Sequence, residues 1–167
     1  MIRFLLLALL LTGCTFGFEP IPPGNGNGIV PAGETATVVS VIDGDTIDVM
    51  LDGQRQRVRY IGINTPERDE PCYADATRAN ESLVDGRTIT MVIDTTNTDR
   101  FDRLLRYIYV GDTFVNAELI RQGYAEAVSF PPNVAFYDTF RDLEREAARA
   151  NLGCHPTGIF NDGTYTR

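Results

Sequence analysis

The sequence contains no lysine. All 15 of its basic residues are arginine, and 23 acidic residues bring the formal charge to −8. This negative charge repels nucleic acid at long range, which argues against loose, delocalised binding of a polyanion. A phosphate site must therefore be a local group of guanidinium ions, which can hold phosphate oxygens in pairs. A general compositional bias also explains the arginines, and the residues alone do not separate the two explanations.

Several kinds of catalytic machinery are also missing. The chain has one histidine, His155, and no glycine-rich phosphate loop of the nucleotide-binding kind. None of its three cysteines sits in a pattern typical of a catalytic thiol. Chemistry on a phosphate would therefore have to use carboxylates, arginines and a bound cation.

The longest apolar run near the amino terminus is residues 4–11, too short for the roughly 20 residues that span a bilayer. Arg3 precedes this run, and Leu-Thr-Gly-Cys closes it at Cys14. Residues 1–13 therefore resemble a bacterial lipoprotein signal peptide, in which Cys14 is lipidated and becomes the first mature residue. An ordinary signal peptide with an incidental cysteine is the alternative.

Residues 14–34 are rich in proline, glycine and asparagine, which predicts a flexible linker between the lipid anchor and a folded domain. We expect the domain at residues 35–154 and a short tail at residues 155–167. These features predict an extracytoplasmic protein that contacts the cell membrane only through its lipid anchor, or a secreted protein if Cys14 is not lipidated.

Two cysteines remain in the predicted domain, Cys72 and Cys154. In an exported protein such a pair suggests a disulfide, which would join the middle of the domain to its carboxyl end. Two buried thiols are the alternative.

Five stretches show the apolar alternation of half-buried strands: residues 36–42, 46–51, 55–60, 88–94 and 104–110. The third stretch places Arg55, Arg57 and Arg59 on one face. Helical spacing predicts three helices, near residues 73–86, 117–122 and 136–153. The order indicates an α+β domain whose short antiparallel strands favour a small closed barrel, because closure removes exposed edges.

Three polar clusters interrupt this pattern: residues 43–46, residues 59–67 and residues 99–103. Each alone is explained by a turn or a solvated loop. Together they suit cleavage of a phosphodiester, in which Arg59 and Arg103 would stabilise charge on the phosphate oxygens. Asp45 and oxygens near Asn64 could hold a hard cation, and Glu67 could act as general base.

The order of these clusters resembles the staphylococcal nuclease, or thermonuclease, family. The resemblance rests on Val-Ile-Asp-Gly-Asp-Thr at residues 41–46, Arg59 with Thr-Pro-Glu at residues 65–67, Asp-Arg-Phe-Asp-Arg at residues 99–103, and Asn-Ala-Glu-Leu-Ile-Arg-Gln-Gly at residues 116–123. It implies an OB-fold, a five-stranded antiparallel β-barrel with three packed helices. It also implies calcium-dependent hydrolysis of single- or double-stranded DNA and RNA.

The resemblance also implies roles for particular residues. The catalytic residues would be Arg59, Glu67 and Arg103. The ligands of one calcium ion would be Asp45, Asn64 and the backbone of Thr65. Asn64 departs from the family pattern, because the family's first member has aspartate there, and an amide brings no charge to the cation.

Substrate contacts are harder to assign. The pocket lacks a clear pair of stacking tyrosines, and around residues 129–132 only Phe130 could stack on a base. Arg57 and Arg100 are further candidates for substrate binding. A catalytically weakened nucleic-acid-binding module is the alternative function, and a purely structural surface lipoprotein is a third. We expect the protein to act as a monomer.

Overall fold

The computed structural model describes residues 31–161. The predicted signal peptide, the lipidation site Cys14, the linker up to residue 30 and the tail from residue 162 lie outside this range. None of the helices within the described range is long and apolar enough to cross a membrane.

The secondary structure between residues 31 and 161 follows the predicted order, with three short strands added. The strands are β1 (Glu34–Val41), β2 (Thr46–Leu51), β3 (Gln54–Tyr60), β4 (Ile63–Asn64), β5 (Thr88–Val92), β6 (Leu104–Val110), β7 (Thr113–Phe114) and β8 (Glu126–Ala127). The helices are α1 (Tyr73–Val84), α2 (Val115–Arg121) and α3 (Tyr137–Arg149). Two 3₁₀ turns, His155–Thr157 and Ile159–Asn161, follow α3.

Five of these strands close into a barrel. They are ordered β3-β2-β1-β5-β6, and β3 pairs with β6 to complete the circle. The OB-fold expectation, an α+β barrel with three packed helices, is confirmed. Four of the strand pairs are antiparallel, but the closing pair β3–β6 is parallel, with Val58 opposite Leu104.

The barrel interior is filled by the apolar residues that alternate along the strands. Ile47 and Val49 of β2 and Val58 of β3 are fully buried. Phe140 and Leu143 of α3 belong to the same buried cluster, so this helix covers part of the barrel. Complete burial of one such side chain stabilises the fold by about 1.5 to 3 kcal/mol.

Cys72 and Cys154 form a disulfide, with their Cα atoms 5.6 Å apart. The predicted bond is confirmed, and the alternative of two thiols is wrong. Cys72 immediately precedes α1, so the bond ties the start of this helix to the segment after α3. A bond of this kind typically contributes about 2 to 4 kcal/mol to stability.

Candidate active site

A pocket of about 490 Å³ opens at one end of the barrel, where β2 begins, β3 ends and the loop before β6 arrives. Its lining includes most of the candidate site residues that the sequence suggests. These are Asp45, Arg59, Asn64, Glu67, Arg100, Arg103 and Phe130. Three clusters separated by up to 58 positions along the chain (residues 45 to 103) therefore share one cavity.

Asp45 lies on the floor of this pocket, in the turn just before β2. Thr65 donates to Asp45 Oδ2 from its backbone nitrogen, at 2.9 Å, and from Oγ1, at 3.0 Å. A Cβ atom on Gly44 would come within 2.8 Å of the Thr65 side chain, so only glycine lets the turn approach so closely. Burial raises the pKa of Asp45 to about 6, although the charge of Arg59 opposes this. The ionised carboxylate is therefore incompletely compensated.

Arg59 is held in place along its whole guanidinium group. Nε lies 3.1 Å from Asp45 Oδ1, and Nη1 donates to the carbonyl oxygens of Tyr60 and Ile63 at 2.8 and 2.9 Å. Nη2 donates to Asn64 Oδ1 at 3.2 Å. The side chain is only 13% exposed, so its position is fixed before any substrate arrives.

Asn64 is the second residue of the short strand β4, which follows β3, and Thr65 comes directly after it. The Asn64 side chain is buried and bridges two charged groups, because its Nδ2 also donates to Glu126 Oε1 at 3.1 Å. Glu126 belongs to β8, which pairs with β4. The candidate metal ligands Asp45, Asn64 and Thr65 are thus neighbours in one hydrogen-bonded network.

Glu67 is exposed at the rim of the pocket, and its backbone nitrogen donates to Glu70 Oε2 at 2.8 Å. Partial burial raises the pKa of Glu67, and the charge of Asp43 raises it further. Arg59 and Arg103 both lower this pKa, so the two guanidinium groups act on the same carboxylate. A carboxylate with a raised pKa is the stronger base, which suits it to accept a proton.

Arg103 enters the pocket from the loop before β6. Asp99 orients it, because Arg103 donates to Asp99 Oδ2 from Nε at 2.6 Å and to Oδ1 from its backbone nitrogen at 3.0 Å. Burial would raise the pKa of Asp99, but the hydrogen bonds from Arg103 and from the Phe101 backbone outweigh it and hold this pKa below its usual value. Arg103 is less buried than Arg59, so it is the more accessible of the two arginines.

The substrate-binding candidates are divided. Arg100 and Phe130 line the pocket, whereas Arg57 does not. Arg55 and Arg57 both bind the buried Asp48, with contacts of 2.8 Å each. The three arginines of β3 do not form a uniform row of available cations, because Asp48 pairs with two of them. The sequence shows the shared face but not this acidic partner.

Three other residues in or beside the pocket were missed by the sequence interpretation as functional candidates. Asp43 accepts from the backbone nitrogen of Asp45 at 3.0 Å and lines the pocket. Phe101 is exposed at the rim, with the guanidinium group of Arg100 4.7 Å from its ring centroid. Asp43 and Phe101 belong to the motifs at residues 41–46 and 99–103, so the sequence could have identified them. Glu126 could not be identified in this way, because nothing in the sequence sets it apart from a loop residue.

The residues around Asp45 fit a hard cation. The acidic and amide side chains of the pocket, Asp43, Asp45, Asn64 and Glu67, offer oxygen atoms, which calcium and magnesium prefer over nitrogen and sulfur. A cation would also compensate the buried charge of Asp45. Within residues 31–161, no three His, Cys, Asp or Glu side chains cluster as ready metal ligands. The predicted set does not require such a cluster, since it contains one carboxylate, one amide and one backbone carbonyl.

Two fixed guanidinium groups that face an exposed carboxylate, at the mouth of an OB barrel, are the arrangement expected of a protein that acts on phosphate esters. Comparison with known proteins agrees. The family model described as staphylococcal nuclease homologue matches residues 57–154. The chain belongs to the staphylococcal nuclease family, as the motifs indicate.

Individual relatives extend this result. Thermonuclease of Staphylococcus intermedius is 32% identical over 126 residues, covering 72% of this chain and 75% of the relative. Endonuclease YncB of Bacillus subtilis is 36% identical over 124 residues, covering 70% of this chain and 59% of the relative. Protein ParB of Escherichia coli is 35% identical over 125 residues, covering 70% of this chain and 69% of the relative. The chain thus spans between about three fifths and three quarters of these proteins.

Proposed function

We propose that this protein is a calcium-dependent nuclease that hydrolyses phosphodiester bonds of DNA and RNA in the pocket around Arg59, Glu67 and Arg103. The convergence of two arginines and one base on a single cavity carries the proposal. The names of the thermonuclease and endonuclease relatives support it.

Glu67 would start the reaction by taking a proton from a water molecule. The water oxygen then forms a bond to phosphorus, and the phosphorus–oxygen bond to the leaving nucleotide breaks. The departing oxygen takes a proton from solvent. Glu67 is suited to this step because it is exposed to water and its pKa is raised, which makes its ionised form a better base.

Arg59 and Arg103 would stabilise the charge that grows on the non-bridging phosphate oxygens during this step. Arg59 is rigidly held, so its charge is oriented before the reaction and needs no rearrangement. Arg103 is tethered by Asp99 and is more accessible, which suits it to follow the phosphate as its geometry changes.

Asp45, Asn64 and the backbone carbonyl of Thr65 would hold the calcium ion. When bound, this ion would polarise the phosphoryl group and supply positive charge beside it. The buried carboxylate of Asp45 provides the negative charge for this role. Arg100 and Phe130, which line the same cavity, would contact the substrate outside the reacting phosphate.

We also propose that the protein acts outside the cytoplasm as a monomer, held at the membrane by a lipid on Cys14. The sequence of residues 1–14 motivates the anchor. The Cys72–Cys154 disulfide supports an oxidising compartment, because such bonds are rare in the cytosol. Globomycin treatment, which blocks lipoprotein signal cleavage, should cause the precursor to accumulate. An unchanged mature protein would contradict lipidation at Cys14.

Cleavage of single-stranded DNA by the purified protein tests the nuclease proposal. We expect cleavage with calcium, none with a chelator, and a rate lower by about 10² to 10⁴ in Glu67→Gln. Glu81→Gln is the matched control, because Glu81 is exposed on α1 and does not line the pocket. Cleavage that is equal in Glu67→Gln and the wild type would contradict the assignment.

A non-catalytic nucleic-acid-binding module is the second candidate. It is motivated by Asn64, which brings no charge to the predicted cation site. Salt-sensitive binding of DNA that stays intact through long incubation with calcium would favour this module over the nuclease.

A further inference from the structure

Glu126 is a buried acidic residue next to the proposed active site. It is 2% exposed and lies on β8, directly opposite Asn64 of β4 in the antiparallel register. Side chains of such directly opposed residues lie on the same face and contact each other. Two strands of only two residues therefore bring a carboxylate against a residue of the pocket.

The Asn64 amide joins Glu126 to Arg59. Its Nδ2 donates to Glu126 Oε1 at 3.1 Å, and its Oδ1 accepts from Arg59 Nη2 at 3.2 Å. A guanidinium group can only donate, so the amide must turn its oxygen toward Arg59 and its nitrogen toward the Glu126 oxygen. The chemistry of the two neighbours therefore allows a single orientation of the amide.

Aspartate at position 64 could not serve the same purpose. It would place a second carboxylate at the position of the Asn64 amide, 3.1 Å from Glu126 Oε1, where both residues are 2% exposed. Two carboxyl groups this close and away from water cannot both be ionised without a large cost, so one of them would have to bind a proton. Asparagine at this position is therefore matched to Glu126.

We propose that Glu126 is a positioning residue, which fixes the guanidinium group of Arg59 through Asn64. The proposal rests on the nuclease function proposed above. Asp45 holds Nε of Arg59 and two backbone carbonyls hold Nη1, so Asn64 completes the set at Nη2. Glu126 keeps the Asn64 oxygen turned toward that nitrogen. Arg59 is thereby oriented before the phosphate binds, which is where electrostatic catalysis gains its effect.

Four proteins test this proposal: wild type, Asn64→Asp, Glu126→Gln, and the double variant. Asn64→Asp should lower the melting temperature without calcium by roughly 5 to 10 °C, because two carboxylates meet. Glu126→Gln should cost only about 2 °C, since its amide oxygen can still accept from Asn64. In the double variant the introduced glutamine can donate to the introduced aspartate, which can in turn accept from Arg59. We therefore expect recovery to within about 3 °C of the wild type.

Kinetics with single-stranded DNA at saturating calcium separate positioning from stability, because the saturating ion removes any effect of Asn64→Asp on calcium affinity. Measured well below every melting temperature, Asn64→Asp should lower kcat by at least about tenfold with KM changed less than about twofold. The double variant should regain kcat to within about threefold of the wild type. Glu144→Gln is the matched control. Glu144 also contacts β8, through the backbone nitrogen of Ala127, but it does not contact Asn64, and kcat of this variant should stay within about twofold.

The outcomes are distinguishable. Additive losses of melting temperature in the double variant would overturn the Asn64–Glu126 pairing. Recovery of stability without recovery of kcat would overturn the positioning role. A wild-type protein that leaves DNA intact would overturn the nuclease proposal, while the melting temperatures would still judge the pairing.

Discussion

Two parts of the β2–β3 hairpin use the same kinds of residue for different ends. Outside the pocket lining, Asp48 is bound by Arg55 and Arg57, whose side chains are 59% and 50% exposed. At the pocket, Asp45 is paired with Arg59, which is 13% exposed. Both carboxylates are buried. We call Asp48 with its two arginines the outer group, and Asp45 with Arg59 the inner pair.

The electrostatics of the two carboxylates are opposite. Hydrogen bonds from Arg57 and Arg55 overcome burial and hold the pKa of Asp48 below its usual value. Burial raises the pKa of Asp45 to about 6, because the one arginine beside it, Arg59, does not fully compensate the buried charge. The charge of Asp48 in the outer group is therefore compensated, whereas the charge of Asp45 in the inner pair is only partly compensated. Such unmet compensation marks functional sites more often than structural ones.

A large loss of activity should follow from changing the pocket arginine that is not in the hairpin. Arg103→Lys keeps the charge but loses the planar fork that binds phosphate oxygens. We expect kcat for single-stranded DNA to fall by about 10² to 10³. Arg55→Lys, in the outer group, should change kcat less than about threefold. Equal losses in the two variants would show that the pocket has no special role.

Replacing each carboxylate should affect stability to different extents. Without calcium at pH 7, Asp45→Asn removes a charge that burial disfavours, but its amide nitrogen would face hydrogen-bond donors of Thr65 or Arg59. We expect the free energy of unfolding to stay within about 1 kcal/mol of the wild type, because these effects offset each other. Asp48→Asn should lower it by about 1 to 3 kcal/mol, because two arginines lose a charged acceptor. Urea denaturation measures both. A loss of stability in Asp45→Asn as large as that in Asp48→Asn would contradict the contrast between the two groups.

The pH dependence of stability should sharpen the same contrast with smaller changes. The pKa of Asp45 is raised by folding, so its contribution is present below its unfolded pKa of about 3.8 and is lost as pH rises toward 6. The stability of Asp45→Asn relative to the wild type should therefore increase between about pH 4 and about pH 7. Melting temperatures across this range, without calcium, provide the check. A constant difference would show that Asp45 does not titrate there.

Asp48 should behave in the reverse way. Its pKa is lowered by folding, so its contribution is present above the unfolded value and is lost as pH falls through the folded one. The deficit of Asp48→Asn should accordingly persist from about pH 5 to about pH 7. A deficit that disappears in this range would contradict the pairing with Arg55 and Arg57.

The sequence predicts the barrel and most of the pocket because long strands and short motifs carry clear signals. The alternation in β2 and β3 identifies them and places Arg57 and Arg59 on one face. It does not show that Asp48 pairs with Arg57, because that contact depends on the register between two strands. Periodicity reveals the side of a strand, whereas pairing between strands decides which charges are neutralised.

Short elements account for the rest of what was missed. The strands β4, β7 and β8 have two residues each, too few for any periodicity. Glu126 lies on β8, and its contact with Asn64 joins positions 62 residues apart. The parallel closure of the barrel also depends on a distant pairing, between β3 and β6. Such contacts follow from the whole fold and leave no local pattern.

The most direct test of the proposed site compares Arg59→Lys with Arg57→Lys, two neighbours on the same face of β3. The measurement is the initial rate of single-stranded DNA cleavage with saturating calcium, with melting temperatures to confirm that both variants are folded. We predict a loss of about 10² to 10³ for Arg59→Lys and less than about threefold for Arg57→Lys. A loss for Arg57→Lys as large as that for Arg59→Lys would contradict the assignment of catalysis to the inner pair.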